Sequence, residues 1–230
     1  MKISNIFWAF GAVAALSLQS CSLDEVNPGG FTLEALGTTP EGHVTLLNQC
    51  FFGLERKFYN DIDFMRYSEG NTDLWTSKRN IVGGDSHWFN FYGGADPNND
   101  YTAGLWNAAY DGIGACNLAI ETAETCKFKT DEERNYNIAI ARFLRGVYYY
   151  NLTELFGGVV KLTEVRKNMD YAPERTGVMD IYRDVILPDF RFAVEWLEKG
   201  DEKADATPTK KAALGFLSKA CLATQQYGTT

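Results

Sequence analysis

The sequence predicts a mainly α fold: tetratricopeptide-like helical hairpins forming an α–α superhelix, with one long irregular loop that contains aromatic residues. Three observations predict it. Apolar residues recur at three- and four-residue steps through most of the chain, which places each set on one face of a helix. Helix start and stop signals fall at the ends of those runs: Thr39-Pro40, Thr130 to Glu133, Gly157-Gly158 and Thr207-Pro208. One run carries a stripe of small residues, Gly112, Cys116, Ala119 and Ala123, which lets a second helix approach closely. The tetratricopeptide period is about 34 residues. These helices run longer and carry no full consensus, so an irregular helical bundle accounts for the periodicity equally well.

The first twenty residues form a separate segment. Lys2 supplies a positive charge, Ile6 to Leu18 is apolar apart from small residues and Ser17, and small or polar residues follow. That is a secretory signal, too short for a spanning helix. Leu18-Gln19-Ser20-Cys21 resembles the bacterial lipobox, in which the cysteine thiol takes a thioether-linked lipid and the leader is cut away. Each buried methylene contributes about 0.8 kcal/mol, so several acyl chains anchor a protein. Asp24-Glu25 resembles the surface-export signal of Bacteroidetes lipoproteins. The competing reading is an ordinary leader with a chance cysteine near its end. The expected organisation is signal peptide 1–20, tether 21–37 with the turn Asn27-Pro28-Gly29-Gly30, and a helical domain over 38–230.

A first helix is expected from Pro40 to Tyr59, capped by Thr39, with Val44, Leu47, Phe51, Leu54 and Phe58 in one stripe. Residues 68–101 hold glycines, Asn, Asp and the aromatics Trp75, Trp88, Phe89, Phe91 and Tyr92 without helical period; loops of that length are commonly functional. A second helix is expected from Tyr101 to Cys126, with Trp106, Ala109, Tyr110, Ile113, Asn117 and Ile120 on one stripe beside the small one. It should therefore be buried on two sides. Thr130-Asp131-Glu132-Glu133 reads as a capping box opening a third helix, with Ile140, Phe143, Leu144, Val147, Leu152 and Leu155 as its stripe and Gly157-Gly158 as its stop. Residues 159–175 read as a connector. A fourth helix, Val178 to Lys199, contains Pro188, so a bend is expected there. A fifth starts after Thr207-Pro208, with Ala212, Ala213, Phe216, Leu217 and Ala220 facing inward.

Apolar content of 45% with 23% charged residues describes a globular domain, and about 210 residues beyond the leader suffice for a real core. The net charge is −8 and no Lys/Arg-rich face appears, which argues against nucleic acid as a partner. Cys50, Cys116, Cys126 and Cys221 form no C-x-x-C pair, and His43 and His87 are the only histidines, so no metal site and no cofactor are expected. An exported protein could oxidise these thiols, but each lies beside apolar residues and reads as a buried free cysteine.

Several blocks then carry a resemblance. Cys21-Ser22-Leu23-Asp24-Glu25 with Asn27-Pro28, Leu105-Trp106-Asn107-Ala108-Ala109-Tyr110 with Cys116-Asn117, and Ala141-Arg142-Phe143-Leu144-Arg145-Gly146-Val147-Tyr148-Tyr149-Tyr150-Asn151-Leu152 running into Leu155-Phe156-Gly157-Gly158 resemble the SusD/RagB family. The resemblance covers essentially all of the chain beyond the leader. It implies an outer-membrane surface lipoprotein, anchored through acylated Cys21, that sits over a TonB-dependent SusC-like transporter and captures an oligosaccharide or peptide ligand without catalysis. Members are longer, so the chain reads as the N-terminal part of that fold, with the family's C-terminal part missing.

Glycan capture requires flat aromatic faces beside amides and charged groups. The 68–101 stretch offers aromatics beside Asp73, Arg79, Asn80, Asp85 and Asn90, and Trp75, Arg79, Asn80, Trp88 and Tyr92 are the candidate ligand contacts; alternatively, the aromatics pin a long loop to the body. Arg142 and Arg145 are expected to pair with acidic residues between helices. Tyr148, Tyr149 and Tyr150 point about 100° apart on a helix and read as scaffold, and Asn117 as a buried group fixing helix packing. An enzyme reading needs two placed carboxylates. Asp73 and Asp85 are the loop candidates, and nothing fixes their separation. Three functions follow in order: glycan or other nutrient capture, a helical-repeat scaffold that binds only protein, and a glycoside hydrolase.

Overall fold

The computed structural model describes residues 37–59, 62–69, 72–73, 100–166, 172–197 and 207–225. They form a mainly α-helical array: α1 (Pro40–Gly53), α2 (Ile62–Glu69), α3 (Asp100–Ala123), α4 (Asp131–Phe156), α5 (Val178–Ile181), α6 (Leu187–Trp196) and α7 (Lys210–Ala223). The long helices pack in chain order, α1 on α3, α3 on α4, α4 on α6 and α6 on α7. That neighbour-to-neighbour stacking is the tetratricopeptide-like arrangement the small stripe implies. Residues 1–36, which take in the expected signal and all but the last residue of the expected tether, and residues 74–99 lie outside the described residues, as do Cys21, Trp75, Arg79, Asn80, Asp85, Trp88, Asn90 and Tyr92.

The caps explain where helices begin. Thr39 takes the N–H of Gly42 at 3.2 Å, with Pro40 at the first helical position. Thr130 takes the N–H of Glu133 at 3.1 Å, while the Glu133 carboxylate reaches back to the Lys129 N–H at 2.9 Å, one residue beyond the expected reciprocal bond. The last helix is capped by Thr209, which accepts from Ala212 N–H at 3.3 Å, rather than by Thr207. Pro208 therefore precedes the cap instead of opening the helix. At Gly157 a φ of 70° ends α4 in a conformation that disfavours side chains, as the double glycine predicts.

Both expected long helices around 40–59 and 178–199 contain wide turns. α1 becomes a π-helix over Leu54–Tyr59, and α5 passes through a π-helix over Tyr182–Ile186 into α6. Pro188 sits just beyond the second of these. A proline cannot bond the carbonyl four residues back and its ring crowds that carbonyl; the widened turn absorbs the misfit where a bend was expected. The expected stripe holds at Leu47, Leu54 and Phe58, with Phe51 half-buried, but fails at its first position: Val44 is 50% exposed, and His43, Leu46 and Cys50 join Leu47 in the core. Helix α2 and the short antiparallel pair β1 (Val159–Val160) with β2 (Arg175–Thr176) carry too few residues for a periodic signal.

The core runs continuously through α1, α3, α4, α6 and α7. Helix α3 is buried on two sides, with Ala109, Ile113, Cys116 and Ala119 fully enclosed. Helix α4 is enclosed almost all round between Asn137 and Leu152, with only Arg142 and Tyr150 half-buried. The four cysteines among the described residues form no disulfide with one another: Cys50, Cys116 and Cys221 are buried, and Cys126, just past the end of α3, is half-buried. Burial pushes the Cys116 thiol up, so it packs as a neutral apolar group.

Candidate functional site

Two polar arrangements organise the frame. The first is a buried clasp. Arg145 on α4 donates from Nε and Nη2 to the two carboxylate oxygens of Asp189 on α6, both at 2.8 Å. Its Nη1 donates to the Asn117 side-chain oxygen at 2.8 Å and to the Thr163 carbonyl at 3.2 Å. Asn117 in turn donates to the carbonyls of Leu162, at 3.0 Å, and Glu164, at 3.4 Å. Tyr149 accepts from the Leu162 N–H at 2.7 Å and donates to the Leu162 carbonyl at 2.9 Å, and Tyr110 donates to the Val160 carbonyl at 2.9 Å. An irregular strand of backbone thus has its polar groups met by side chains from α3 and α4, which buried backbone requires. The expectation for Asn117 holds, and Arg145 pairs with an acid as expected. Arg142 instead lays its guanidinium over the Phe192 ring, 4.4 Å from the centroid.

The second arrangement centres on Tyr148, which is fully buried. Its hydroxyl donates to the Cys50 carbonyl at 2.8 Å and accepts from the Leu54 N–H at 3.0 Å. Those two groups are the i, i+4 partners of a regular helix. The phenol stands between them, and the π-helix starts at that point. The ring needs room on both sides. A Cβ on Gly112 would lie 2.1 Å from Tyr148 Cζ, and one on Gly53 would lie 2.4 Å from the Ala108 carbonyl oxygen and 2.8 Å from the Tyr148 hydroxyl. Tyr150 fills a third direction, edge-on to Tyr182 at 6.4 Å and to Phe216 at 6.0 Å. The three tyrosines are scaffold, each on a different neighbour.

Two surface features remain. Trp106 meets Tyr110 at 4.9 Å and the edge of Phe156 at 5.2 Å, while the Arg175 guanidinium covers it at 5.3 Å. Its ring is occupied by protein, so it is a structural cluster. Between α1, α4 and α7 lies an open groove of about 410 Å³, walled by Phe51, Leu54, Tyr59, Phe143, Val147 and Phe216, with Glu55 and Thr207 at its rim. Its lining is almost wholly apolar and suits apolar side chains better than sugar hydroxyls. Periodicity placed Phe51, Leu54 and Phe143 in the core stripes but gave no sign that the space between the stripes stays open. Of the sequence-chosen polar candidates, Asp73 is exposed beyond α2. The segment bearing the other candidates leaves from there and returns at α3.

Residues 45–222 match the SusD-like family described as starch-binding proteins associating with the outer membrane. The chain belongs to that family. Solved structures share the fold. A SusD-like protein from Bacteroides fragilis has a TM-score of 0.70 at 21% identity, covering 84% of this chain and 37% of that one. A SusD superfamily protein from Parabacteroides distasonis gives 0.69 at 21% identity over 81% and 40%. Surface glycan-binding protein A from Bacteroides fluxus gives 0.65 at 20% identity over 82% and 41%. The chain thus spans about two fifths of the length of these SusD-like structures. No curated protein matches the sequence. The SusD-like signature blocks now have a physical meaning: Asn117, Arg145, Tyr148, Tyr149 and Gly157 build the clasp, the helix insertion and the helix stop.

Proposed function

We propose that this chain is a non-catalytic, cell-surface outer-membrane lipoprotein that captures glycans for uptake through a TonB-dependent SusC-like transporter. The observation that carries the reading is the family match over residues 45–222. The leader and the lipobox support it: Cys21 carries the acyl anchor, residues 21–37 are the tether, and 38–230 form the helical domain. The ligand contacts are Trp75, Arg79, Asn80, Trp88 and Tyr92, all within the aromatic stretch 68–101. Stacking rings would take the apolar faces of sugar rings, and the amide and guanidinium would meet hydroxyls. Isothermal titration of the full chain against starch-derived and other oligosaccharides tests the capture step, and co-purification from the outer membrane tests the transporter. No heat with any glycan, and no transporter retained, would sink the reading.

A second reading, a helical scaffold that binds protein alone, is favoured by one observation. The groove between α1, α4 and α7 is apolar and about the size of a few side chains. Growth on glycans that is unaffected by deletion of the gene, together with retention of a protein partner, would favour it.

A further inference from the structure

The first and last long helices each leave an apolar stripe in solvent, and the two stripes have the same spacing. On α7, Leu214 is 38% exposed and Leu222 is 61% exposed, with Ser218 midway between them. On α1, Val44 and Phe52 are each 50% exposed, with Asn48 midway. Both sets step i, i+4, i+8, which keeps them on one helix face. Gly215 borders the α7 stripe, and no atom lies within 4 Å of a Cβ built there, so a helix could lie close.

The charges beside the stripes are opposite. Helix α7 carries Lys210, Lys211 and Lys219 and no acidic residue, within a chain of net charge −8. The α1 face carries Glu41 and Glu55, while Arg56 turns its guanidinium onto the Phe52 ring at 5.0 Å. Laid antiparallel, Leu214 meets Phe52, Ser218 meets Asn48 and Leu222 meets Val44. Lys211 and Glu55 each stand three residues outside the stripe, at the same end of that pairing. Two copies of α7 laid parallel would instead bring lysines against lysines, and laid antiparallel they would set Lys211 opposite Gln225 with no acidic partner.

We infer that the α7 face docks the α1 face of a second copy of this chain. The contact is heterologous, so it leaves one free face at each end and propagates instead of closing. It is also small. A durable interface buries about 1,200–2,000 Å², more than one helix face supplies, so association is concentration-dependent. This inference stands apart from glycan capture.

Sedimentation velocity of the full chain carrying Cys21→Ser, so that no lipid contributes, reads the effect. The average mass should rise between about 10 and 500 µM, a range set by the small contact. Leu214→Asn with Leu222→Asn breaks one face; Val44→Asn with Phe52→Asn breaks the other. Each double variant should stay monomeric with an unchanged helical circular dichroism spectrum, since all four side chains are exposed. An equimolar mixture of the two should regain a 1:1 dimer and nothing larger, because one intact face of each kind remains. A mass independent of concentration in the parent chain overturns the inference. So does a mixture that stays monomeric.

Discussion

Arg145 and Asp189 join α4 to α6 through two parallel bonds of 2.8 Å, with side chains only 8% and 2% exposed. Burial alone would pull the Arg145 pKa down, and the neighbouring Asp189 charge more than reverses that, so the guanidinium stays charged. Removing one member strands the other charge in the core. Arg145→Met or Asp189→Asn should each cost about 3–5 kcal/mol in urea denaturation. Arg145→Met combined with Asp189→Leu should cost less than either alone, because no unpaired charge remains. Amide exchange over residues 160–164 should rise in Arg145→Met, since Thr163 and Asn117 lose their donor.

The Tyr148 insertion makes a second prediction. Tyr148→Phe leaves the Cys50 carbonyl and the Leu54 N–H without the hydroxyl and should cost about 1–3 kcal/mol. Gly112→Ala forces the ring from its slot and should cost about 1–3 kcal/mol or more. Tyr148→Leu in the Gly112→Ala background should recover part of that loss, because the smaller side chain vacates the slot. Thermal unfolding of the three variants checks the order.

Helices and their stops were legible in the sequence because stripes, caps and a double glycine are local signals. What lay beyond reach was non-local. The exposure of Val44 follows from His43 and Cys50 meeting α3 in its place, and nothing near Val44 says so. The two π-helices depend on a phenol arriving from ninety-four residues away and on how a proline is absorbed. The clasp was half legible: Asn117 on an apolar stripe and Arg145 in a helix predict buried partners, but not that they would hold the backbone of 162–164. The chosen ligand residues lie outside the described structure, and the apolar groove has no signature, because its walls look like ordinary core positions.

His43 predicts an acid response. It is fully buried, and its Nε2–H donates to the Ala119 carbonyl at 2.8 Å. Burial lowers its pKa below the ordinary 6.5, more than the Ala119 bond and nearby Asn137 raise it. The folded chain therefore holds the ring neutral while the unfolded chain takes up a proton. This stability is full above pH 6.5 and is lost as pH falls below it. Urea midpoints measured from pH 7.5 to 5 should fall more steeply in the parent chain than in His43→Gln.

Asp184 predicts a depressed carboxyl. Arg183 donates to it at 2.7 Å and Lys161 at 2.9 Å, holding its pKa at about 2. Its contribution is present above the ordinary 3.8 and is lost as pH falls through about 2. Carbon-detected titration should give that low midpoint, and Lys161→Met should move it upward.

Trp75→Ala and Trp88→Ala test the proposed capture site. Each should weaken oligosaccharide binding roughly tenfold, equivalent to about 1.4 kcal/mol. Titration calorimetry against the best glycan of the panel reads the change.

The slot that Gly53 and Gly112 leave for Tyr148 also constrains how this sequence can drift over generations. A methyl at Gly112 is a collision while the tyrosine stays, and a smaller residue at 148 opens a void while Gly112 stays. A methyl at Gly53 meets the Ala108 carbonyl oxygen whatever stands at 148, so that glycine is held by α3 as well. Gly112 and Tyr148 therefore form one heritable pair. Lineages should exchange both together or keep both, and a chimera that joins one relative's α3 to another's α4 should fail wherever their slots differ.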